Sequence, residues 1–296
     1  MISTEPRIDA LLPAEMARRA EYVGVTKAEA PFSSMFSLAV LAGVYIALGA
    51  VFATTVSAGT ATEWPYGVSR LLSGVVFSLG LIMVVVGGAE LFTGNNLIAM
   101  AWASRKVTTR SMMRNWMVVY VGNLAGSLVI AFLMLASQQH TFGGGAVGAT
   151  ALDIATTKVA LGFWQAVALG ILCNALVCMA VWLTYSARST VDKIAAIIFP
   201  ITAFVAAGFE HSVANMYFIP LGLLIKTFDP TFAAASGLEL GGLTWGSFVV
   251  DNLIPVTIGN IIGGTVLVAA AYWSVFLGGK KSAAPGGFGP SGPSRS

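Results

Sequence analysis

The sequence predicts an all-α polytopic membrane protein with six transmembrane helices in two inverted three-helix repeats. Composition is the first observation: the 296 residues include only 16 Lys/Arg and 13 Asp/Glu, whereas about 25% of residues are charged in soluble domains. Hydropathy is the second, because 56% of the residues are hydrophobic and the mean hydropathy is +0.81. The third observation is that two sequence motifs each occur twice. The shortage of polar surface excludes a soluble enzyme, a disordered chain and a nucleic-acid-binding protein.

Six apolar stretches are long enough to cross a bilayer, which takes about 20 helical residues. We expect spans near residues 34–57, 71–101, 116–137, 160–186, 194–226 and 249–277. The second and fifth stretches are too long for one straight helix, and both contain polar residues at their centres. We therefore predict that helices 2 and 5 are broken, because backbone leaves a helix at that depth only where protein or a water-filled cavity covers it.

The basic residues predict the orientation of the spans. Of the 16 Lys/Arg, only Arg70, Lys158 and Lys226 fall in the connections that follow spans one, three and five. The others lie before span one, after span six, or in the connections after spans two and four. Because basic residues concentrate on the cytoplasmic side, both termini are predicted to be cytoplasmic.

Two motifs occur twice, in the same order along the chain. G-x-E-x-x-x-x-N occurs at residues 88–95 and 208–215, and G-N-x-x-G occurs at residues 122–126 and 259–263. Each copy belongs to a unit of three spans, so the second unit enters the membrane from the opposite side. Inverted repeats of this kind are typical of transporters and channels.

The chain therefore divides into three predicted parts. Residues 1–33 form a cytoplasmic N-terminal segment, either a short amphipathic helix or an ordinary polar tail. Residues 34–277 form the six-helix transmembrane channel domain, with repeats at about 34–137 and 160–277. Residues 278–296 are rich in Gly, Pro and Ser and are predicted to form a disordered cytoplasmic tail.

Polar residues of the repeated motifs are predicted to support the helix breaks. A carboxylate exposed to lipid at mid-membrane costs several kcal/mol, so we expect Glu90 and Glu210 either to accept hydrogen bonds from backbone N–H groups freed there or to stabilise the breaks in another way. The N-termini of the half-helices carry partial positive charge, which suits an anionic solute. The other residues expected to support the breaks are Asn95, Asn215, Asn123 and Asn260.

His211 is the only histidine in a predicted span, and it follows Glu210 in a break. Imidazole titrates near neutral pH, so His211 is predicted to donate a proton at the pore centre. The hydroxyl of Thr93, in the other break, is expected to hydrogen-bond either the imidazole or a passing solute. Lys158 is expected to raise the local anion concentration at the outer mouth, the alternative being a lysine that extends to the membrane surface.

Three runs of residues resemble the formate/nitrite transporter family: Gly88–Thr93, Gly208–Met216 and Asp251–Asn260. The resemblance extends over residues 15–277. It implies an aquaporin-like protomer with one pore, assembled as a homopentamer, in which two apolar constrictions flank a central histidine. Glu90 stands where some formate channels have Asp, a conservative difference that leaves a supporting role at the break intact.

The resemblance also implies roles for individual residues of the pore. His211 matches the central histidine and Thr93 its partner, while Lys158 and Asn174 match the vestibule lysine and the pore asparagine. The implied constriction residues are Phe77, Leu81 and Phe204 on the cytoplasmic side, and Leu91 with Phe92 beside it on the periplasmic side.

These residues predict a channel that moves formate and related small monovalent anions across the bacterial inner membrane. A bare anion loses its hydration in an apolar slit, whereas a neutral acid does not. We therefore expect His211 to protonate the anion before it crosses. The predicted partners are formate or nitrite, protons, membrane lipid and other copies of the chain, with no nucleic acid, metal or cofactor.

Three alternatives remain open at this stage. The first is a channel of the same family for nitrite or hydrosulfide. The second is an intramembrane hydrolase using His211 and Ser212, but adjacent helical residues point about 100° apart and no G-x-S-x-G is present. The third is a membrane scaffold or sensor, which explains neither the repeat nor the paired breaks.

Overall fold

The computed structural model describes residues 10–60 and 63–278, which form helices joined by short connections. The helices are α1 (Pro13–Glu29), α2 (Phe32–Ser57), α3 (Tyr66–Gly87), α4 (Phe92–Asn95), α5 (Ile98–Ala103), α6 (Thr109–Ala136), α7 (Ala146–Val159), α8 (Phe163–Ser186), α9 (Thr190–Ala206), α10 (Ser212–Phe228), α11 (Pro230–Ala235) and α12 (Trp245–Phe276). Helix α12 contains π-helical stretches at Phe248–Leu253 and Gly263–Ala270. Residues 279–296, which hold almost all of the predicted disordered tail, and residues 1–9 lie outside the described residues.

Five of the described helices, α2, α3, α6, α8 and α12, are long and apolar enough to cross a membrane. The predicted fifth span is divided between the shorter helices α9 and α10, which together complete six spans. The predicted all-α fold with six spans is therefore confirmed.

Both predicted helix breaks are present, and a glycine in a left-handed conformation begins each of them. Gly88 follows α3 with φ +75°, and Gly208 follows the end of α9 with φ +74°. Glycine adopts this conformation without the steric cost that a Cβ atom imposes. The chain becomes helical again at Phe92 and at Ser212.

The same hydrogen bonds occur in both halves of the chain, which shows that the halves are repeats. The N–H of Glu90 donates to the carbonyl of Leu38 at 3.1 Å, and the N–H of Glu210 donates to the carbonyl of Leu169 at 3.3 Å. Helices α1 and α7 also correspond to each other, because each supplies a lysine to the glutamate of its own half. Helices α1 and α7 therefore occupy equivalent places ahead of the predicted repeats at 34–137 and 160–277.

Helix α1 is the amphipathic helix considered for the N-terminal segment, and it packs into the protein. Its residues Met16, Ala17 and Ala20 are at most 5% exposed. These apolar side chains pack with Leu97 and Trp182 of the transmembrane region. Helix α1 is therefore packed against the same bundle as the helices that follow it.

Small residues let the spans of each repeat approach closely. A Cβ atom at Gly126 of α6 would lie 2.0 Å from the carbonyl oxygen of Val40, and one at Gly259 of α12 would lie 2.2 Å from that of Val167. Backbone contacts this short leave no room for a side chain, so the G-N-x-x-G motifs contribute to helix packing.

Replacing Gly126 with alanine is expected to destabilise the protein by about 1–3 kcal/mol, because α2 and α6 must separate. The measurement is the melting temperature of purified protein in detergent. Gly67→Ala is the control, since a Cβ at Gly67 has nothing within 4 Å. Equal melting temperatures for the two variants would contradict the close approach of α2 and α6.

Candidate functional site

The two helix breaks meet at one hydrogen bond between Thr93 and His211. Thr93 Oγ1 lies 2.9 Å from His211 Nε2, and both side chains are buried. His211 Nδ1 accepts the backbone N–H of Ala214 at 3.0 Å and so caps the N-terminus of α10. Because Nδ1 is an acceptor, a neutral His211 ring carries its proton on Nε2 and donates it to Thr93 Oγ1.

Two cavities extend towards this pair of residues from opposite sides. The outer cavity, about 380 Å³, is lined by Lys158, Glu210 and His211 among others. The inner cavity, about 360 Å³, is lined by Lys27 and Glu90 among others. The terms outer and inner follow the predicted orientation, in which Lys158 is on the side opposite the termini. His211 lines the outer cavity, whereas Thr93 is fully buried and lines neither cavity.

The structure divides the expected constriction residues between the cavities differently from the prediction. Phe77 and Phe204 line the outer cavity, where their rings meet edge to face at 5.7 Å. Leu81 and Leu91 line the inner cavity. With the predicted orientation, Phe77 and Phe204 lie on the outer side and Leu91 on the inner side, the reverse of the sides that the family resemblance implied, whereas Leu81 lies on the implied side. Helix α3 runs inwards, so Phe77 lies one turn nearer the outside than Leu81.

Phe92 lines neither cavity, although it was expected beside a constriction. Its ring packs edge to face against Tyr120, with centroids 4.8 Å apart, and against Trp116 at 6.2 Å. Phe92 therefore anchors the N-terminus of α4 to α6.

Asn174 also lines neither cavity and is fully buried, so the expected pore asparagine is not exposed to the pore. Its Nδ2 donates to Asn96 Oδ1 at 2.8 Å and to the carbonyl of Asn260 at 2.7 Å. The same Nδ2 lies 3.2 Å from the carbonyl of Thr93. Asn174 therefore positions the backbone beside Thr93.

The side-chain amide of Asn123 forms hydrogen bonds with backbone groups that the first break leaves unpaired. Its Oδ1 accepts the N–H of Phe92 at 2.9 Å. Its Nδ2 donates to the carbonyls of Ala39 and Glu90 at 2.7 and 2.9 Å. One amide thus joins the break to α2 and α6.

Asn260 does the same at the second break. Its Oδ1 accepts the N–H of Ser212, and its Nδ2 donates to the carbonyls of Gly170 and Glu210, each at 2.9 Å. The freed N–H groups of Phe92 and Ser212 are therefore bound by asparagines and not by the glutamates, which leaves stabilisation of the breaks as the predicted role of Glu90 and Glu210.

The carboxylate of Glu90 accepts hydrogen bonds from side chains. Lys27 Nζ lies 2.8 Å from Glu90 Oε1, and Asn95 Nδ2 donates to Oε2 at 2.6 Å. Asn95 is held in turn by Asn115 Oδ1 at 2.9 Å. This set of Lys27, Glu90, Asn95 and Asn115 forms the inner network.

The outer network repeats this arrangement with Lys158, Glu210, Asn215 and Asn252. Lys158 Nζ lies 2.7 Å from Glu210 Oε1, and Asn215 Nδ2 donates to Glu210 Oε2 and to Asn252 Oδ1, each at 2.7 Å. Only 16% of the Lys158 side chain is exposed, so it does not extend to the membrane surface. Both charges of each network are paired, which makes a buried carboxylate tolerable at this depth.

Sequence reasoning missed Lys27, Asn115 and Asn252. Equal spacing in the two repeats could have identified these residues. Asn115 and Asn252 each stand eight residues before the asparagine of a G-N-x-x-G motif. Lys27 and Lys158 each stand 11 residues before the leucine, Leu38 or Leu169, that pairs with a break.

Arg70 is a further residue of the outer cavity that sequence reasoning did not assign to the site. Its guanidinium donates to the carbonyl of Val205 and, at 3.4 Å, to that of Ala206. These carbonyls end α9, so an arginine of the first repeat caps the broken helix of the second.

Two inverted repeats whose broken helices meet inside a six-span bundle define a membrane channel or transporter. The model of the formate/nitrite transporter family matches residues 14–274, and the chain belongs to this family. Formate channel FocA of Escherichia coli (strain K12) is 47% identical over 273 residues, which cover 91% of this chain and 95% of that protein. A probable formate transporter of Methanothermobacter thermautotrophicus is 39% identical over 286 residues, covering 90% and 97%.

Solved structures agree with this family assignment. A pentameric formate channel with formate bound is 48% identical, covers 83% of this chain and 98% of its own, and superposes with a TM-score of 0.78. An FNT family ion channel at 27% identity covers 89% and 98%, with a TM-score of 0.72. The predicted aquaporin-like channel fold is confirmed.

The family consists of transporters, so the intramembrane hydrolase is excluded. The geometry agrees with this exclusion. Both ring nitrogens of His211 have other partners, and Ser212 Oγ has no hydrogen-bond partner among the described residues. A nucleophile needs a base within hydrogen-bond reach.

Proposed function

We propose that this protein is a formate channel of the bacterial cytoplasmic membrane, assembled as a homopentamer with both termini in the cytoplasm. The names of the relatives support formate, and the pentameric relative supports the assembly. Related small monovalent anions such as nitrite share the charge and size of formate and are proposed as further substrates.

One observation carries the proposal: two polar-edged cavities approach a single buried polar pair, Thr93 and His211, past apolar side chains. An anion leaving either cavity meets Leu81 and Leu91 on one side, or Phe77 and Phe204 on the other. Moving a bare charge through such a passage is costly, whereas neutral formic acid keeps little charge to hydrate.

The lysines of the two networks are proposed to bring the anion to the passage. Each Nζ has three donors, and Lys158 uses one on Glu210 while it lines the outer cavity. Arg70 adds a second cation to that cavity. Lys27 is proposed to act equivalently at the inner cavity.

His211 is proposed to supply the proton. An imidazolium donates from both ring nitrogens, so a proton on Nδ1 displaces the N–H of Ala214 from its acceptor. The ring therefore passes an added proton to the nearest base, the carboxylate of the solute. The neutral acid then crosses the apolar passage and releases the proton on the other side.

Replacing His211 with phenylalanine is expected to lower formate flux at least tenfold, because the ring is kept and its proton exchange is lost. The measurement is formate and nitrite flux at pH 5 and pH 7 in proteoliposomes of the purified protein. Phenylalanine preserves the stacking on Phe204, whose centroid lies 5.8 Å from that of His211.

Thr93→Ser and Thr93→Val form the matched control pair for this experiment. Serine keeps the hydroxyl that bonds Nε2 and is expected to retain most of the flux, whereas valine keeps the shape and is expected to lose it. Undiminished, pH-independent formate flux in the His211→Phe variant would overturn the proposed role of the histidine.

A further inference from the structure

A third cavity lies at the cytoplasmic side of the protein, apart from the outer and inner cavities. It measures about 560 Å³ and is bounded by the α5–α6 connection and the end of α12. Its walls include Trp102, Arg105, Lys106 and Trp273. We propose that it binds the phosphate-bearing headgroup of an anionic phospholipid of the cytoplasmic leaflet.

The two tryptophans place the cavity at the level of the lipid headgroups. Trp102 lies near the end of span two, and Trp273 lies near the end of span six. Their indole N–H groups donate to Thr109 Oγ1 and to Ser104 Oγ, each at 3.0 Å, which fixes both rings as walls. Tryptophan is enriched at the boundary between membrane and water.

Arg105 supplies positive charge that the described residues leave without a partner. Lys106 is paired with Glu21, whereas no hydrogen bond or ion pair within residues 10–60 and 63–278 engages the Arg105 guanidinium. A guanidinium binds a phosphate through two parallel hydrogen bonds. Basic pockets between helices on the cytoplasmic side are a known setting for anionic headgroups.

The backbone of Arg105 is a second, independent observation. Its φ is +60°, and Gln138 is the only other described non-glycine residue with a positive φ. A Cβ atom makes this conformation unfavourable. Arg105 occupies the left-handed position that caps the end of α5, where the N–H of Lys106 donates to the carbonyl of Ala101 at 2.9 Å. Glycine usually fills such a position. An arginine there whose guanidinium has no partner among the described residues points to a function at that position.

A lipid fits the cavity better than the C-terminal segment of the chain does. The residues that follow Gly278 include Lys280 and Lys281, whose charge repels Arg105. A phospholipid brings the complementary charge, and its acyl chains stay in the bilayer beside Trp102, which is 46% exposed.

The test is native mass spectrometry of the full chain in detergent with phosphatidylglycerol or phosphatidylcholine. The wild type is expected to retain phosphatidylglycerol in preference, and Arg105→Gly to bind it about fivefold more weakly. Lys193→Gln removes the same charge from the same face and is expected to bind like the wild type. Without lipid, Arg105→Gly is expected to melt no lower than the wild type, because glycine accepts a φ of +60°.

Four results would each overturn the lipid site. The first is wild-type phosphatidylglycerol binding by Arg105→Gly, and the second is an equal loss in Lys193→Gln, which would indicate general surface charge. The third is stabilisation by inorganic phosphate as large as that by phosphatidylglycerol. The fourth is stronger lipid binding by a chain that ends at Gly278, which would indicate that the tail occupies the cavity.

Discussion

Replacing Asn260 with leucine is expected to abolish the accumulation of folded protein. The change keeps the approximate size of the side chain but leaves the N–H of Ser212 and the carbonyls of Gly170 and Glu210 without their partner. Each buried group left unpaired costs about 1–3 kcal/mol, so the sum is about 3–9 kcal/mol. Whole domains are stable by only about 5–15 kcal/mol.

The measurement is the yield of monodisperse protein in detergent and its melting temperature. Asn123→Leu, the same change in the first repeat, is expected to have a comparable effect, because Asn123 makes the equivalent three hydrogen bonds. Gln165→Leu is the control, since it is the same kind of change at an exposed position of α8. Near-wild-type yields for Asn260→Leu would show that water or local rearrangement satisfies the break.

The helix breaks were predictable because each rests on residues close together in the sequence. Gly88 and Glu90 lie within one apolar stretch, and Gly208 and Glu210 lie within another. A charged motif inside an apolar stretch can be recognised from the sequence alone. The repeat brings the two breaks together, so His211 was one of the two partners expected for Thr93.

The partners of the glutamates were not predictable in the same way. Lys27 reaches Glu90 from a helix 63 positions earlier, and Lys158 reaches Glu210 from 52 positions earlier. Helix α1 is too short and polar for hydropathy to assign it to the membrane domain, although its small residues are buried. The periodic arrangement of apolar residues also leaves open which of them face a cavity, as Phe92 illustrates.

Replacing Lys158 with methionine is expected to destabilise the protein by about 3–5 kcal/mol, because it leaves the carboxylate of Glu210 buried without its cation. Only 6% of the Glu210 side chain is exposed, so little of the carboxylate contacts water while the lysine is in place. The double variant Lys158→Met with Glu210→Gln removes both charges and is expected to recover most of this loss. The measurement is the melting temperature of the two single variants and the double variant.

The inner network is the matched comparison for this cycle. Lys27 and Glu90 have side chains that are 27% and 11% exposed, so Lys27→Met is expected to cost less than Lys158→Met. If the double variant recovers stability, transport can be measured without the effect of misfolding. The folded double variant lacks Lys158 and is expected to carry less formate at low formate concentration, because it attracts the anion less. If the double variant melts as low as Lys158→Met alone, the lost stability comes from the contact of Lys158 with the Phe218 ring, whose centroid lies 5.5 Å from Nζ. The buried carboxylate of Glu210 would then not need the lysine charge for stability.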